Sequence, residues 1–338
     1  MLPESKLQEI REHLERSQNP VFFFDNDVDG LTSFLLLRRW LGRGKGIAIK
    51  SFPELQETYA KRITELKSDY VFILDKPVVA KGFFLKTLEM NIPVVWIDHH
   101  DVPIDITENV SYYNNVLDNK PVSYICQKIA RRKEDEWLAL LGCVGDSFVP
   151  EFSQDIEGLY PDYWKKVKTA FEGLYNTKLG EIIMMLNFGL KDKTSNVLKM
   201  IKLLLEVKHP SEIIEENSKT SSLRKRFSQV KKRYSSLIDK ALKNAASKLL
   251  YFKYSGDLSI SADLANELYY KFPDKIIIVA YINQNKANLS LRGKNVRKLT
   301  LKAIEGLQAT GGGHEEATGA RMSLDELDKF VKKIEDMI

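Results

Sequence analysis

Short apolar runs that end in acidic residues are the feature that most constrains the fold of this chain. One run, at 92–97, leads directly into Asp98, His99 and His100. Continuous apolar runs of this length are typical of β-strands that are buried on both faces. The same layout occurs three more times, at 21–24 before the acidic segment 25–30, at 70–74 before Asp75, and at 138–144 before Gly145 and Asp146. The sequence therefore predicts buried strands with polar groups at their carboxyl ends.

The segments between the runs predict that these strands are parallel. The stretch 31–41 has the periodicity of a helix, as expected for a crossover between parallel strands. Right-handed crossovers bring the carboxyl ends of the strands to one edge of the sheet, which is where open α/β sheets bind ligands. We expect the sheet-forming pattern to extend to about Pro150, and the acids and imidazoles to meet at that edge.

Four converging carboxylates require counter-charges. Asp27, Asp29, Asp75 and Asp146 would repel one another by a few kcal/mol per pair at about 4 Å and an effective dielectric constant near 20. Two divalent ions would offset these charges, and a mixed carboxylate and imidazole shell suits Mn²⁺, Fe²⁺, Co²⁺ or Zn²⁺ better than Ca²⁺. Two metals roughly 3.5 to 4 Å apart are the usual arrangement for phosphoester hydrolysis. The residues therefore predict a binuclear phosphoesterase.

The ordered motifs resemble those of the DHH phosphoesterase superfamily, which includes RecJ-type exonucleases, nanoRNases, cyclic-dinucleotide phosphodiesterases and inorganic pyrophosphatases. A fifth motif, at 310–314 and 317–319, is similar to the glycine-rich signature of the DHH-associated substrate domain, and 289–292 resembles the strand before it. The resemblance spans roughly 20–335. It implies an α/β fold, with an N-terminal parallel-sheet DHH domain and a smaller C-terminal α/β DHH-associated domain joined by a helical linker.

The resemblance also implies roles for individual residues. Asp75 would bridge two divalent ions, with Mn²⁺ expected and Mg²⁺ or Co²⁺ as alternatives. His100 would lie near the scissile phosphate or complete the metal shell, and Asp98 would orient an imidazole. The remaining metal ligands would be Asp27, Asp29, His99 and Asp146, and the substrate-binding residues would be Arg292, Gly311, Gly312, Gly313 and His314.

One position departs from the family pattern. Many members carry a histidine four residues before the first ligand aspartate, and this chain has Phe23 there. Either one metal is held more weakly or Asp25 substitutes for the histidine. A mononuclear resting state is therefore one of the expectations.

Each motif also has a purely structural interpretation. The segment 25–30 would serve as a strand-to-helix turn with an aspartate N-cap, and adjacent histidines are often solvated. Gly311, Gly312 and Gly313 would form a flexible turn, or else allow backbone N–H groups to approach phosphate oxygens. Three of the five histidines of the chain lie within the motifs. The order and spacing of all five motifs favour the functional interpretation.

Composition predicts three regions. The DHH domain would occupy 1–217, with a sheet part at 1–150 and a helical part at 151–217, and a basic connecting helix would occupy 218–248. The substrate domain would occupy 249–338. Its predicted strands are 251–255, 275–281 and 287–292, and its predicted helices are 261–272, 296–305 and 323–337, with Ser323 and Glu326 in capping-box spacing.

The connecting segment concentrates positive charge. Between Thr220 and Lys248 the net charge is +8, from nine basic residues and Asp239, whereas the whole chain carries +5. Such a helix would attract a polyphosphate backbone, or it would be a solvated linker face. Phe227 and Tyr234 would stack on bases or pack against the protein. The basic residues are Arg224, Lys225, Arg226, Lys231, Lys232, Arg233, Lys240, Lys243 and Lys248.

Composition also restricts the class of protein. The chain has 338 residues and 43% hydrophobic content, which suffices for two domains with cores. No apolar window approaches 18 residues and the N-terminus lacks the apolar core of a signal peptide, so we expect a soluble cytoplasmic protein that does not bind membranes. Cys126 and Cys143 have no metal-binding spacing and are expected to be buried, reduced thiols.

The resemblance implies an exonuclease that degrades single-stranded RNA or DNA, or short oligonucleotides, from an end, with hydrolysis between the two lobes. Three alternatives stay open. The first is a small-molecule phosphoesterase acting on a cyclic dinucleotide, a dinucleotide or a nucleotide 3′-phosphate, whereas the pyrophosphatase branch lacks the glycine motif. The second is a non-catalytic replisome component, or an active enzyme with replication or repair partners. The third is tRNA-linked editing, which the DHH lobe disfavours.

Overall fold

Two five-stranded sheets organise the protein, one in each of two compact units. The computed structural model describes residues 1–50, 54–118, 120–243 and 247–338. The first unit is Met1–Phe227 and the second is Ser228–Ile338, and the division falls within the helix Ser221–Leu242. The predicted division into 1–217, 218–248 and 249–338 stays a prediction.

The sheet of the first unit is parallel throughout, as the apolar runs predict. Its strand order is β2-β1-β4-β6-β7, and every neighbouring pair is parallel. Two short strands, β3 and β5, form a separate parallel pair. The strands are β1 (Pro20–Asp25), β2 (Lys45–Ile49), β3 (Glu54–Leu55), β4 (Tyr70–Leu74), β5 (Val78–Val79), β6 (Val94–Asp98) and β7 (Val110–Asn114).

Helices cover both faces of this sheet. Phe22 and Phe24 of β1 lie against Phe34 of the following helix, whereas Phe23 points to the opposite face and packs edge-on against Phe83. The helices are α1 (Glu4–Arg16), α2 (Val28–Leu41), α3 (Lys61–Leu66), α4 (Lys81–Glu89), α5 (Val122–Ala130), α6 (Glu136–Gly145), α7 (Ser153–Leu159), α8 (Ala170–Asn176), α9 (Lys178–Leu190), α10 (Thr194–Glu206), α11 (Ser211–Ile214) and α12 (Ser221–Leu242). The strands are therefore sandwiched between apolar layers, which explains why they read as continuous apolar runs.

One predicted strand is wrong. The run 138–144 lies in α6, which is buried along nearly its whole length against α2 and α5. A helix that is apolar on every side has no amphipathic period, so a short apolar run cannot by itself distinguish a buried helix from a buried strand. The sheet pattern accordingly ends at Asn114 and not near Pro150.

The second unit has a mixed sheet with the order β11-β12-β10-β9-β8. Only β8 and β9 are parallel, and the other neighbours are antiparallel. The three strands and three helices predicted for this region are confirmed, although no side-chain hydrogen bond caps α15 at Ser323. The elements are β8 (Leu249–Ser255), α13 (Ser261–Lys271), β9 (Ile276–Asn283), β10 (Lys286–Arg292), α14 (Val296–Ile304), β11 (Ala309–His314), β12 (Ala317–Ser323) and α15 (Leu324–Glu335).

The basic segment forms a helix, α12, over most of its predicted length; its residues 244–246 lie outside the described part of the chain. Phe227 and Tyr234 are buried in it. Phe227 packs on Phe188, and the Tyr234 hydroxyl donates a hydrogen bond to Glu267 Oε2 at 2.5 Å. Of the two alternatives for these rings, packing within the protein is therefore correct and stacking on bases is wrong.

Cys126 and Cys143 are both free and buried, as predicted. Within the described residues, no helix combines the length and the apolar character that crossing a bilayer requires.

Candidate active site

The direction in which the chain adds strands to the parallel sheet reverses between β1 and β4. From β1 the chain crosses to β2 on one side, and it later enters β4 on the other side. Such a switch point leaves a crevice at the carboxyl ends of the two strands. Because Phe24 pairs with Leu74, the next residues of the two strands, Asp25 and Asp75, come to lie side by side at this crevice.

The acidic segment after β1 is a tight turn into α2. Asp27 is the N-cap of α2, and its carboxylate accepts a hydrogen bond from the Gly30 N–H at 2.9 Å. A Cβ atom on Gly30 would lie 2.6 Å from the carbonyl oxygen of Asp25, so only glycine fits there. The N-cap interpretation of this segment is therefore correct, and it coexists with the convergence of its acids on the crevice.

Asp29 is buried and anchors another helix. Its carboxylate accepts hydrogen bonds from the backbone N–H groups of Val122 and Ser123, at 2.8 and 3.0 Å, and from the Ser123 hydroxyl. These donors form the first turn of α5, where the helix dipole favours a negative charge. Asp29 thus fixes α5 against α2, and sequence reasoning did not identify Ser123 as its partner.

His99 lies between two carboxylates. Its Nε2 atom is 3.4 Å from Asp75 Oδ1 and 3.6 Å from Asp146 Oδ2. Asp75 adopts a left-handed backbone conformation, with φ of 58°, directly after β4. Asp146 reaches the crevice from the C-terminal end of α6, not from a strand end as predicted. A left-handed non-glycine residue in a buried acidic cluster is the kind of backbone strain that collects at functional sites.

Asp98 and His100 form a separate pair. Asp98 is fully buried at the end of β6, and its Oδ1 lies 2.8 Å from Nδ1 of His100. The backbone N–H of His100 also approaches Asp98 Oδ2, at 3.3 Å. The structure therefore places Asp98 where it fixes the orientation of the His100 ring.

The donor atoms fit a divalent metal. Asp75, His99 and His100 offer ligand atoms within 4.8 Å of one another, and so do Asp29, His99 and Asp146. Ligands about 2.0 to 2.2 Å from a shared ion lie roughly 3 to 3.5 Å apart, which resembles the measured separations around His99 Nε2. Mixed oxygen and nitrogen donors suit Mn²⁺ and its neighbours in the first transition row.

The electrostatics of the cluster favour a cation. Burial, followed by the charges of Asp25 and Asp29, raises the pKa of Asp27 from 3.8 to about 7. Removal from water and the neighbouring carboxylates also raise the pKa of Asp75 and of Asp146 well above the usual range. The carboxylates therefore repel one another strongly unless protons or metal ions offset their charge.

His100 has the opposite environment. Burial opposes its positive charge, but the hydrogen bond and charge of Asp98, with further carboxylates nearby, outweigh burial and raise the pKa of His100. The imidazole therefore keeps a proton at a higher pH than a free histidine does.

A buried lysine, Lys76, is a second residue that sequence reasoning did not identify. Its Nζ lies 2.6 Å from Asp25 Oδ1, and its side chain is 0% exposed. A lysine after a strand has no sequence signal that distinguishes it from a surface residue. Phe23, at the position of the family histidine, is fully buried in the apolar cluster on one face of the sheet.

In the second unit, the predicted substrate residues lie on β10 and β11, the two strands on either side of β12. Arg292 pairs with Ala317, and Ala317 pairs with His314, so the three residues form one row across β10, β12 and β11. Directly paired residues point to the same face of a sheet, which places Arg292 and His314 on one face, roughly 10 Å apart. The Arg292 Nε donates a hydrogen bond to Asn266 Oδ1 of α13 at 2.6 Å.

The glycine motif is an edge strand, so of the two interpretations of Gly311, Gly312 and Gly313 the flexible turn is wrong. Gly312 pairs with Gly319, and a Cβ atom on Gly312 would meet no atom within 4 Å. Packing therefore does not require glycine at 312. The exposed residues Gly311, Gly313 and Gly319, with the half-buried Gly312, instead leave backbone accessible beside His314.

The C-terminal residues 242–338 match the family model of the DHHA1 domain. No curated protein shows significant sequence similarity to the chain. The fold is similar to that of RecJ from Thermus thermophilus in complex with Mn²⁺, with a TM-score of 0.67 and 15% identity over 98% of this chain and 54% of that one. This chain thus spans about half the length of the Thermus protein.

Two other solved structures share the fold over nearly their whole length. An exonuclease RecJ bound to manganese aligns with a TM-score of 0.63 and 16% identity, over 98% of this chain and 93% of that chain. A pGpG-specific phosphodiesterase from Vibrio cholerae aligns with a TM-score of 0.52 and 14% identity, over 93% and 97% of the two chains. The C-terminal part of the chain therefore matches the DHHA1 domain, and the chain as a whole shares its fold with these RecJ and phosphodiesterase structures.

Proposed function

We propose that the protein is a metal-dependent phosphodiesterase, a RecJ-like exonuclease that degrades single-stranded nucleic acid or short oligonucleotides from an end. The observation that carries this proposal is the cluster at the sheet edge, where His99 Nε2 lies 3.4 Å from Asp75 and 3.6 Å from Asp146. The helix contacts of Asp27 and Asp29 do not account for Asp75 and Asp146, whose like charges in a buried crevice destabilise the fold.

The proposed metal ligands are Asp27, Asp29, Asp75, His99 and Asp146. They would hold two divalent ions, with Mn²⁺ as the first choice and Mg²⁺ or Co²⁺ as alternatives. Bound ions of this kind lower the pKa of water and neutralise charge on phosphate oxygens. The two RecJ structures with manganese support this choice of ion.

Asp98 and His100 would act on the substrate side of the cluster. Because Nδ1 of His100 faces Asp98, the other ring nitrogen, Nε2, is the atom that would contact a phosphate oxygen or a metal. The raised pKa of His100 favours the protonated ring, which donates a hydrogen bond and stabilises negative charge on the phosphate.

The second unit would bind the end of the nucleic acid. Arg292 and His314 share one face of its sheet, and Gly311, Gly312 and Gly313 expose backbone next to them. A guanidinium group and an imidazole beside accessible N–H groups suit a phosphate. A clamp on a terminal phosphate would restrict the enzyme to chain ends and short substrates.

The test is hydrolysis by metal-stripped protein of end-labelled single strands, RNA and DNA separately, in graded lengths starting at the dinucleotide. Mn²⁺, Mg²⁺ or Co²⁺ is restored in separate reactions, and the label is placed on either end. Products that shorten stepwise from one end support the exonuclease. No cleavage with any of these metals would contradict the proposal.

The similarity to a pGpG-specific phosphodiesterase supports a second candidate, a phosphoesterase for dinucleotides or other small nucleotides. The same experiment separates the two functions, because cleavage confined to dinucleotides favours the second. The graded lengths also test whether α12, with its excess of basic residues, favours longer strands.

A role as a replication or repair component stays a prediction. The retained acids and imidazoles argue against a purely non-catalytic component, since a protein without activity would not need a buried acidic cluster. An active enzyme that binds replication or repair proteins is compatible with them.

A further inference from the structure

Lys76 is the one fully buried lysine in the part of the chain that the structure describes. It follows Asp75, and its Nζ lies 2.6 Å from Asp25 Oδ1, whose own side chain is 18% exposed. The Lys76 carbonyl oxygen accepts a hydrogen bond from Trp96 Nε1 at 3.0 Å. Both the backbone and the side chain of this residue are therefore held in place.

A buried ammonium group is costly unless it is paired, so its position needs an explanation. The ion pair links the residue after Asp75 to the last residue of β1, two positions before Asp27. Asp25 and Asp75 are also neighbours across the paired strands. A fixed positive charge and a fixed negative charge thus lie next to the proposed ligands.

The pairing affects which carboxylates are available to a metal. Asp25 is the residue that would replace the family histidine, absent here because Phe23 occupies that position. Its Oδ1 atom is instead bonded to Lys76. Removing the lysine would remove a positive charge beside the site, whereas removing the aspartate would remove a negative charge there.

We propose that Lys76 supplies a permanent positive charge beside the proposed metal centre. This charge keeps Asp25 out of the ligand set and limits the affinity of the site for divalent ions. This inference rests on the metal site of the proposed function. It explains why an additional acid at the sheet edge need not bind a metal, and it makes Lys76 a positioning residue that acts through Asp25.

The test is a double-mutant cycle at Lys76 and Asp25 in the whole chain. Mn²⁺ binding is measured by isothermal titration calorimetry and by the electron paramagnetic resonance of free Mn²⁺. Lys76→Met should bind Mn²⁺ about tenfold more tightly and Asp25→Asn about tenfold more weakly, because the first removes a positive charge near the ion and the second removes a negative one. The double variant should return to within about threefold of wild type, because the charges balance again.

A surface ion pair of the same unit provides the matched control. Lys81 and Asp105 form a pair at 2.8 Å, with both side chains more than half exposed. Lys81→Met and Asp105→Asn should leave the Mn²⁺ affinity unchanged. Circular dichroism checks the fold of each variant, and the Asp25→Asn result stands even if Lys76→Met does not fold.

Unchanged or weaker Mn²⁺ binding by folded Lys76→Met, or unchanged binding by Asp25→Asn, would overturn the inference. Failure of the proposed metal site gives a different result, because wild-type protein would then bind no Mn²⁺ at all, and failure of the exonuclease activity alone would leave Mn²⁺ binding in place. Activity is not needed for either conclusion.

Discussion

Single residues at the sheet edge serve both the fold and the chemistry. Asp27 caps α2, and Asp29 holds the first turn of α5 with three hydrogen bonds while lying near His99. Hydrogen bonds to a charged group contribute about 1.5 to 3 kcal/mol each, so these acids stabilise the helices even as they repel one another. The same side chains therefore fix the position of the proposed ligands before any ion binds.

Replacing Asp75 tests the centre of the cluster. Asn keeps the shape of the side chain and tolerates the left-handed backbone better than Ala, so Asp75→Asn should fold normally. Hydrolysis should fall at least about a hundredfold, because a ligand oxygen next to His99 becomes an uncharged amide. Initial rates with Mn²⁺ measure the loss, and Asp105→Asn, at an exposed position, serves as the control.

Near wild-type turnover by Asp75→Asn would remove Asp75 from the proposed ligand set. Hydrolysis by the Asp105→Asn control should match wild type, because Asp105 lies on the surface in an ion pair with Lys81.

Close packing of helices places Asp146 at the acidic crevice. Gly142 of α6 faces α2 and α5, and a Cβ atom there would collide with the Thr32 and Ser123 hydroxyl oxygens. The absence of a side chain lets α6 approach the helices that carry Asp29 and its partner Ser123. The position of Asp146, at the end of α6, depends on this approach.

Gly142→Ala should therefore destabilise the protein by about 1 to 3 kcal/mol, as expected for overpacking of a buried interface. Urea unfolding measures the change. Gly158→Ala is the matched control, since Gly158 also lies in a helix and a Cβ atom there meets nothing within 4 Å. The control should be neutral or slightly stabilising, by at most about 1 kcal/mol. Equal stabilities of the two variants would contradict this account of α6.

The edge strand β11 allows a test of substrate binding that leaves the fold intact. At Gly312 a side chain enters open space, and the backbone there does not require glycine, so Gly312→Val should unfold like wild type. It should raise KM for oligonucleotides about tenfold, because the side chain blocks the exposed backbone beside His314. Steady-state kinetics and thermal unfolding measured together check both statements, and an unchanged KM would argue against substrate contact at β11.

Sequence reasoning succeeded where a local pattern determines the element. The runs that became β1, β4 and β6 are bounded by polar residues, and the acids after them could be placed at one edge by topology alone. It failed for α6, because a helix that is buried on all sides has no amphipathic periodicity. It also missed β2 and β7, because polar or glycine residues interrupt their apolar runs. Lys76 and Ser123 could not be found, because their roles depend on partners about 50 and about 94 positions away.

The acidic cluster makes the stability of the protein depend on pH, and on the metal ions that it is proposed to bind. The pKa of Asp27 rises from 3.8 to about 7 on folding, so the folded protein holds more protons than the unfolded chain between these values. The free energy of unfolding therefore falls as pH increases through this range. Asp75 and Asp146 contribute in the same direction, since their pKa values are also raised.

Metal-free protein should thus lose thermal stability between about pH 4 and pH 7, and Mn²⁺ should restore more stability at pH 7 than at pH 5, where protons compete with the ion. Differential scanning calorimetry with and without Mn²⁺ measures both effects. Asp75→Asn should flatten the pH dependence, since one of the repelling carboxylates is gone. Stability that rises with pH in metal-free protein would contradict this description.

The thiol of Cys143 lies 3.6 Å from the Ser123 hydroxyl, in the layer that joins α5 and α6. Burial raises the pKa of this thiol well above its usual range, so almost none of the reactive thiolate is present in the closed structure. A thiol reagent can therefore modify Cys143 only when these helices separate. The rate at which a thiol reagent labels Cys143 therefore reports how often α5 and α6 separate near the acidic cluster. Bound Mn²⁺ should slow this labelling.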